Sequence, residues 1–156
     1  MSRVQLALRV SDLDGSVAFY SKLFGVEPAK RRPGYANFAV AEPPLKLVLI
    51  EGQSEQRTVM DHLGVEVDTT GEVADATARL SELGLFTQVE DDTTCCYAVQ
   101  DKVWVQGPGT EPWEVYTVKA DAPDATSIHA RGESDSGECR CGTPVAEEGE
   151  QLSACC

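Results

Sequence analysis

The sequence contains no apolar run long enough to cross a bilayer. Its opening residues, MSRVQLALRV, lack the arrangement of a signal peptide, so a cytoplasmic protein with no membrane contact is expected. Basic charge is scarce: 13 Lys and Arg stand against 26 Asp and Glu, a formal net charge of −13, which argues against nucleic acid as a partner. Residues 120–156 are poor in large apolar side chains. They carry eight acidic and two basic residues among scattered Pro, Ser and Gly, and a flexible, disordered acidic tail is expected there. The tail cysteines Cys139, Cys141, Cys155 and Cys156 lack the C-x-x-C spacing of a zinc ribbon. DLDG at 12–15 lacks the glycine placement and closing glutamate of a calcium loop, so it reads as a helix start.

What is present is a repeat. In a chain of 156 residues with 42% hydrophobic content, residues 1–119 form the expected folded part. QLALRV at 5–10 alternates as a strand. Ser11 is positioned to cap the helix that follows, with Asp14 three residues on. Leu13, Val17, Tyr20 and Phe24 recur at helical spacing until Gly25. AKRR, YANFAV and LKLVLIE then read as strands. A second round opens at HLGVEV, 62–67, with Thr70 as cap of a helix whose face is Val73, Ala76 or Thr77, Leu80 and Leu83. FTQVE, TCCYAV running on towards KVWV, and WEVYTV complete it. Gln5 and His62 occupy the same place in the two rounds, 57 residues apart. The fold class is α+β: two tandem βαβββ modules, about 2–52 and 60–119.

These features resemble the vicinal oxygen chelate superfamily, also called the glyoxalase/bleomycin-resistance/dioxygenase fold. DLDGSVAFYSKLFG, the polar positions Gln5 and His62, and PWEVYTV carry the likeness. The resemblance implies a cupped mixed sheet holding a divalent metal, with ligands from the first and last strand of each module. Here that implicates Gln5, His62 and Glu114. The matching strand of the first module, LKLVLIE, supplies no ligand at the corresponding place, and Glu51 at its end is the nearest oxygen donor. One imidazole, one amide oxygen and one carboxylate form a hard donor set with open positions, suited to Fe(II), Mn(II) or Ni(II). Read without the repeat, these are two surface polar residues and a turn histidine.

Adjacent Cys95 and Cys96 pose a separate question. Ideal strand alternation sends neighbouring side chains to opposite faces, and Cα atoms about 3.8 Å apart make a mutual disulfide awkward. Two thiolates suit a thiophilic metalloid such as trivalent arsenic, whose remaining bond would hold carbon. Both sulfurs can serve one atom only if the strand is broken, so an irregular segment is predicted at the pair. The plainer reading is a buried core thiol beside an exposed bystander. Lys102 would lower the thiol pKa or steady an anion; an exposed turn lysine after Asp101 is the other reading. Trp104 and Trp113, with Tyr35, Phe38 and Tyr97, are candidates for core or pocket wall. Arg31 and Arg32 either flank the cup's mouth or are solvated.

TTCCYAVQDKVWV, with GYANFAVAEPPLKLVLIEG and the cysteine-bearing tail, further resembles the carbon–arsenic lyases of this superfamily, a group also called cadmium-induced proteins. The resemblance implies an Fe(II)-dependent, O2-consuming enzyme that cleaves the C–As bond of trivalent organoarsenicals to arsenite and an oxidised carbon product. Cys95 and Cys96 would bind substrate. Gln5, His62 and Glu114 would bind iron, with His62 and Glu114 central to catalysis. Trivalent methyl- or aromatic arsenicals are the expected partners, and a second copy of the chain is a candidate one. The tail thiols would capture and hand over substrate, or are merely tolerated. Two rivals stand beside this: a glyoxalase-like isomerase or thiol transferase, and a cadmium- or arsenic-sequestering protein.

Overall fold

The computed structural model describes residues 2–122. In chain order it contains β1 (Arg3–Val10), α1 (Leu13–Phe24), β2 (Lys30–Arg32), β3 (Tyr35–Val40), β4 (Leu45–Glu51), β5 (Val59–Glu66), α2 (Thr70–Glu82), β6 (Thr87–Cys95), β7 (Ala98–Gln106) and β8 (Pro112–Asp121). The strands form one curled eight-stranded sheet in the order β2-β3-β4-β1-β5-β8-β7-β6. The α+β class and the doubled βαβββ order agree with the sequence reading. The tail cysteines Cys139, Cys141, Cys155 and Cys156 lie outside the described residues.

β1 pairs with β4 in parallel, β5 pairs with β8 in parallel, and β1 meets β5 antiparallel at the centre. Across that seam Gln5 opposes Gly64 and Ala7 opposes His62. An approximate two-fold therefore exchanges Gln5 with His62 and Ala7 with Gly64. Ala7 pairs with Val48 and Gly64 with Glu114, so Val48 is the first-module counterpart of Glu114. The missing fourth donor expected from LKLVLIE is thus a valine, and Glu51 is exposed at the strand end.

Both helices cover one face of the sheet. Leu13 and Val17 of α1 pack on Phe38, Val40, Leu47 and Leu49, with Tyr20 and Phe24 at the margin. Val73 and Leu80 of α2 pack on Val103, flanked by Val105 and Val115. Alternation then turns Gln5, Ala7, Lys46, Val48, His62, Lys102, Glu114 and Tyr116 to the other, concave face. Phe38 packs in the helical core.

Helix starts differ by one residue from the sequence reading. Asp12, not Ser11, caps α1 by accepting from the Gly15 amide. Thr69, not Thr70, caps α2 in a reciprocal capping box with Glu72. Gly25 ends α1 in the left-handed region, at φ 68°, as a glycine readily does. Leu83 is 70% exposed beyond the end of α2, outside its packed face. Among the described residues no helix is long and apolar enough to cross a membrane.

Candidate metal centre and thiol pair

Three side chains from three different strands converge on the cup floor. Gln5 of β1, His62 of β5 and Glu114 of β8 are all buried, at 4%, 5% and 2% exposure. Gln5 Nε2 lies 3.0 Å from His62 Nε2 and donates to Glu114 Oε1 at 2.6 Å. His62 Nε2 stands 3.3 Å from Glu114 Oε1. Ligand atoms ~2.1 Å from one cation stand about 3 Å apart, so the three side chains are spaced as ligands would be, with Gln5 presenting its amide nitrogen rather than its oxygen to the other two. Among the described residues no group of three His, Cys, Asp or Glu side chains could hold a metal ion. The donor set and its spacing fit a divalent cation with open positions.

Each of the three side chains is held from behind. His62 Nδ1 lies 2.7 Å from Asp61 Oδ2, which holds a proton on Nδ1 and turns Nε2 to the centre. Asp61 in turn accepts from Arg9 Nε. Adjacent strand residues ordinarily diverge, but β5 carries a bulge here: Ala7 opposes His62 while Leu8 opposes Met60, leaving Asp61 as the extra residue. The bulge brings Asp61 alongside the ring. The edge of Trp104 packs on the same imidazole, with centroids 5.4 Å apart.

Glu114 is fixed at its other oxygen. Lys102 Nζ donates to Oε2 at 2.9 Å, leaving Oε1 for the centre. Lys102 is 2% exposed in β7 and its ammonium faces the rings of Trp104 and Tyr116. The turn-lysine reading is therefore overturned, and its charge is directed at a carboxylate. Gly64 separates Gln5 from Glu114. A Cβ there would meet Glu114 Cγ at 3.1 Å and Gln5 Cβ at 3.3 Å, so a side chain would press those two side chains apart.

The electrostatics follow from this crowding. Burial favours the neutral forms, yet charges and hydrogen bonds from Asp61 and Glu114 outweigh it and raise His62 to about 9. Burial likewise opposes ionisation of Glu114, and Lys102 and His62 hold it well below the usual carboxylate range. Asp61 shows the same balance, with His62 and Arg9 prevailing over burial. Burial and the nearby Glu114 and Glu66 keep Tyr116 a neutral phenol. Its hydroxyl bonds Gln5 Oε1 and lies 2.7 Å from Glu66 Oε2, which also pairs with Lys46 at 3.0 Å.

The cysteines stand at a hairpin tip. Cys95 ends β6 opposite Ala98, and Cys96 and Tyr97 form a two-residue turn with φ of 50° and 64°. Positive φ at both positions is the type I′ pattern, usually built from Asn and Gly, so two ordinary side chains here carry strain. TCCYAV is thus a strand end and a turn, not one strand. The break brings the sulfurs within 3.1 Å of each other. Cys95 is buried on the face of Gln100 and Lys102, by alternation from Ala98. Cys96 packs against Ala7, Tyr35, Val48, Ile50 and Tyr97. That cluster contains Val48, the first-module counterpart of Glu114.

The tip also grips the first module. Tyr97 donates from its hydroxyl to Pro33 O, and Lys30 Nζ donates to Tyr97 O. Tyr35 and Tyr97 rings stand 5.7 Å apart as one wall, and Arg32 lies over Tyr97. Arg31 pairs with Asp14 at the rim of an open cavity of about 610 Å³ bounded by Glu51. A cavity of about 180 Å³ beside Cys96 reaches Tyr35, Asn37, Lys46 and Gln100. Trp113 is half-buried in β8.

Likeness to known proteins matches this geometry. The profile of the Glyoxalase/Bleomycin resistance protein/Dioxygenase superfamily matches residues 3–115. A trivalent organoarsenical cleaving enzyme of Thermomonospora curvata is 71% identical over 122 residues, 78% of this chain and 81% of that protein. The cadmium-induced protein CadI of Mycobacterium tuberculosis is 57% identical over 138 residues, covering 88% and 90% of the two chains. Among solved structures, the fold is shared with an extradiol ring-cleaving dioxygenase from B. fuscum, at a TM-score of 0.56 and 23% identity over 77% of this chain and 33% of that one. It is shared equally with the Mn(II)-bound glyoxalase from Novosphingobium aromaticivorans, at a TM-score of 0.56 and 20% identity over 82% and 44%. A doubled βαβββ sheet, paired polar side chains at its seam and this match across both modules place the chain in the glyoxalase/bleomycin resistance protein/dioxygenase superfamily, on the branch of its organoarsenical-cleaving and cadmium-induced members.

Proposed function

We propose that this enzyme cleaves the C–As bond of trivalent organoarsenicals, with Fe(II) held by Gln5, His62 and Glu114 and O2 as co-substrate. The observation that carries the reading is the thiol pair, 3.1 Å between sulfurs, set over the same cup as the three ligands. The name of the Thermomonospora curvata relative supports it. Bound Fe(II) would supply the one-electron chemistry that makes O2 reactive, which side chains alone cannot do.

The chain's own residues account for the rest. Cys95 and Cys96 displace two hydroxyls from R–As(OH)2 as water and form two As–S bonds, leaving carbon as the third substituent. Held by a rigid tip, that substituent is oriented before any bond breaks. Lys102 keeps one oxygen of Glu114 occupied, and Asp61 keeps the His62 lone pair aimed inward. Trp104 and the Tyr35–Tyr97 wall limit water at the reacting carbon. For a methylarsenical the atoms balance with no added reductant: CH3As(OH)2 and O2 give formaldehyde and As(OH)3.

Arsenic speciation tests this. Reduced protein, Fe(II), air and a trivalent methylarsenical should yield arsenite, and the Cys95→Ser/Cys96→Ser variant should yield none while retaining the metal. Arsenical bound tightly, with no arsenite formed, would replace the lyase by a sequestering protein.

A further inference from the structure

The hydrogen bonds around Gln5 present a conflict of protons. The Tyr116 hydroxyl has one proton and faces two acceptors, Gln5 Oε1 and Glu66 Oε2. It can donate to one of them. Meanwhile Gln5 turns its nitrogen, which has no lone pair for a cation, toward His62 Nε2 and Glu114 Oε1. A metal needs the amide oxygen at that position.

One movement resolves both. We propose that Gln5 turns its amide by half a rotation on metal loading, and that Tyr116 and Glu66 are positioning residues that direct the turn. With the amide turned, Oε1 faces the cation and Nε2 donates to the Tyr116 oxygen. The phenol is then free to give its single proton to Glu66. Every partner becomes satisfied. Glu66 suits the task because it is acceptor-only and held in place by Lys46 and Arg3, at 3.0 and 2.9 Å. A phenol suits it because one oxygen both donates and accepts, so the same contact serves either amide orientation. A histidine ligand would need no such device. An amide does, since only one of its two ends ligates.

The inference rests on Gln5 being a ligand, and the test separates the two claims. Metal-free full-length protein is titrated with Mn(II), and the unbound ion is read from its electron paramagnetic resonance signal. Gln5→Ala should weaken binding; wild-type affinity there would overturn the ligand assignment and this inference with it. Given a weakened Gln5→Ala, Tyr116→Phe and Glu66→Gln should each weaken binding by about tenfold, a usual cost of losing a ligand's outer partner. Glu66→Gln is the more telling, because its amide can donate to Tyr116 and so commit the phenol proton to Gln5 Oε1, away from the centre. A carboxylate at position 5 offers oxygen on both sides. In a Gln5→Glu background, Glu66→Gln should therefore change affinity less than twofold. Wild-type affinity in both single variants, or a tenfold loss that persists in the Gln5→Glu background, would overturn the proposal.

Discussion

The two halves of the sheet share a plan and divide the labour unequally. The first module contributes Gln5 and, at the place of Glu114, Val48. The second contributes His62, Glu114, Lys102 and both described thiols. Where the second module has a charged pair buried at 2.9 Å, the first has an apolar cluster, and Cys96 leans on that cluster. The frame is symmetric, and the cysteine tip covers the ground where Val48 stands in place of a second carboxylate. The asymmetric site on this symmetric scaffold follows from a carboxylate in one module and a valine at the equivalent place in the other.

The largest break in this comparison is Glu114→Ala. It leaves Lys102 buried without its carboxylate, and losing one partner of such a pair costs about 3–5 kcal/mol. Denaturant midpoints of the metal-free protein should fall accordingly, and metal binding should vanish. The pH dependence comes next. His62 is raised from 6.5 to about 9 in the metal-free fold, so the stability it contributes is full below pH 6.5 and fades as pH rises through about 9. The span corresponds to an effect on the order of 3 kcal/mol. Urea midpoints across that window should drop in the wild type and stay flat in His62→Gln. Restoring the symmetry should sharpen the contrast: Val48→Glu is expected to bind Mn(II) about tenfold tighter, some ~1.4 kcal/mol, while turning over arsenical more slowly. Equal turnover would show that the fourth position need not stay open. The smallest effect is at the helix starts. Asp12→Ala should cost about 1 kcal/mol and Ser11→Ala almost nothing in thermal unfolding.

Legibility in the sequence followed the range of the cause. Helices at Leu13–Phe24 and Thr70–Glu82 announce themselves through a 3.6 period, and the repeat exposes the Gln5–His62 correspondence. The caps slipped by one residue because Ser11 and Asp12, or Thr69 and Thr70, are neighbouring side chains with equal capping chemistry. The adjacent thiols predict a break at Cys95–Cys96, but not that it is a two-residue hairpin turn, because neither Cys96 nor Tyr97 is the Gly or Asn that marks such turns. Asp61 was invisible as a partner of His62, since alternation points neighbours apart and only a bulge against β1 reverses that. Lys102 and Tyr116 sit in strands where sequence reports a face but not which residue lies across the sheet.

The cysteine tip also acts as a fastening. It springs from the second module, yet Tyr97 is bonded to Pro33 and Lys30 of the first. The two halves can gape about the β1–β5 seam only by undoing that clasp. An arsenic atom bridging both sulfurs would stiffen the clasp itself. Cargo at the tip would then be felt as slower opening along the whole seam, so amide exchange in β1 and β5 becomes a remote gauge of what the thiols hold.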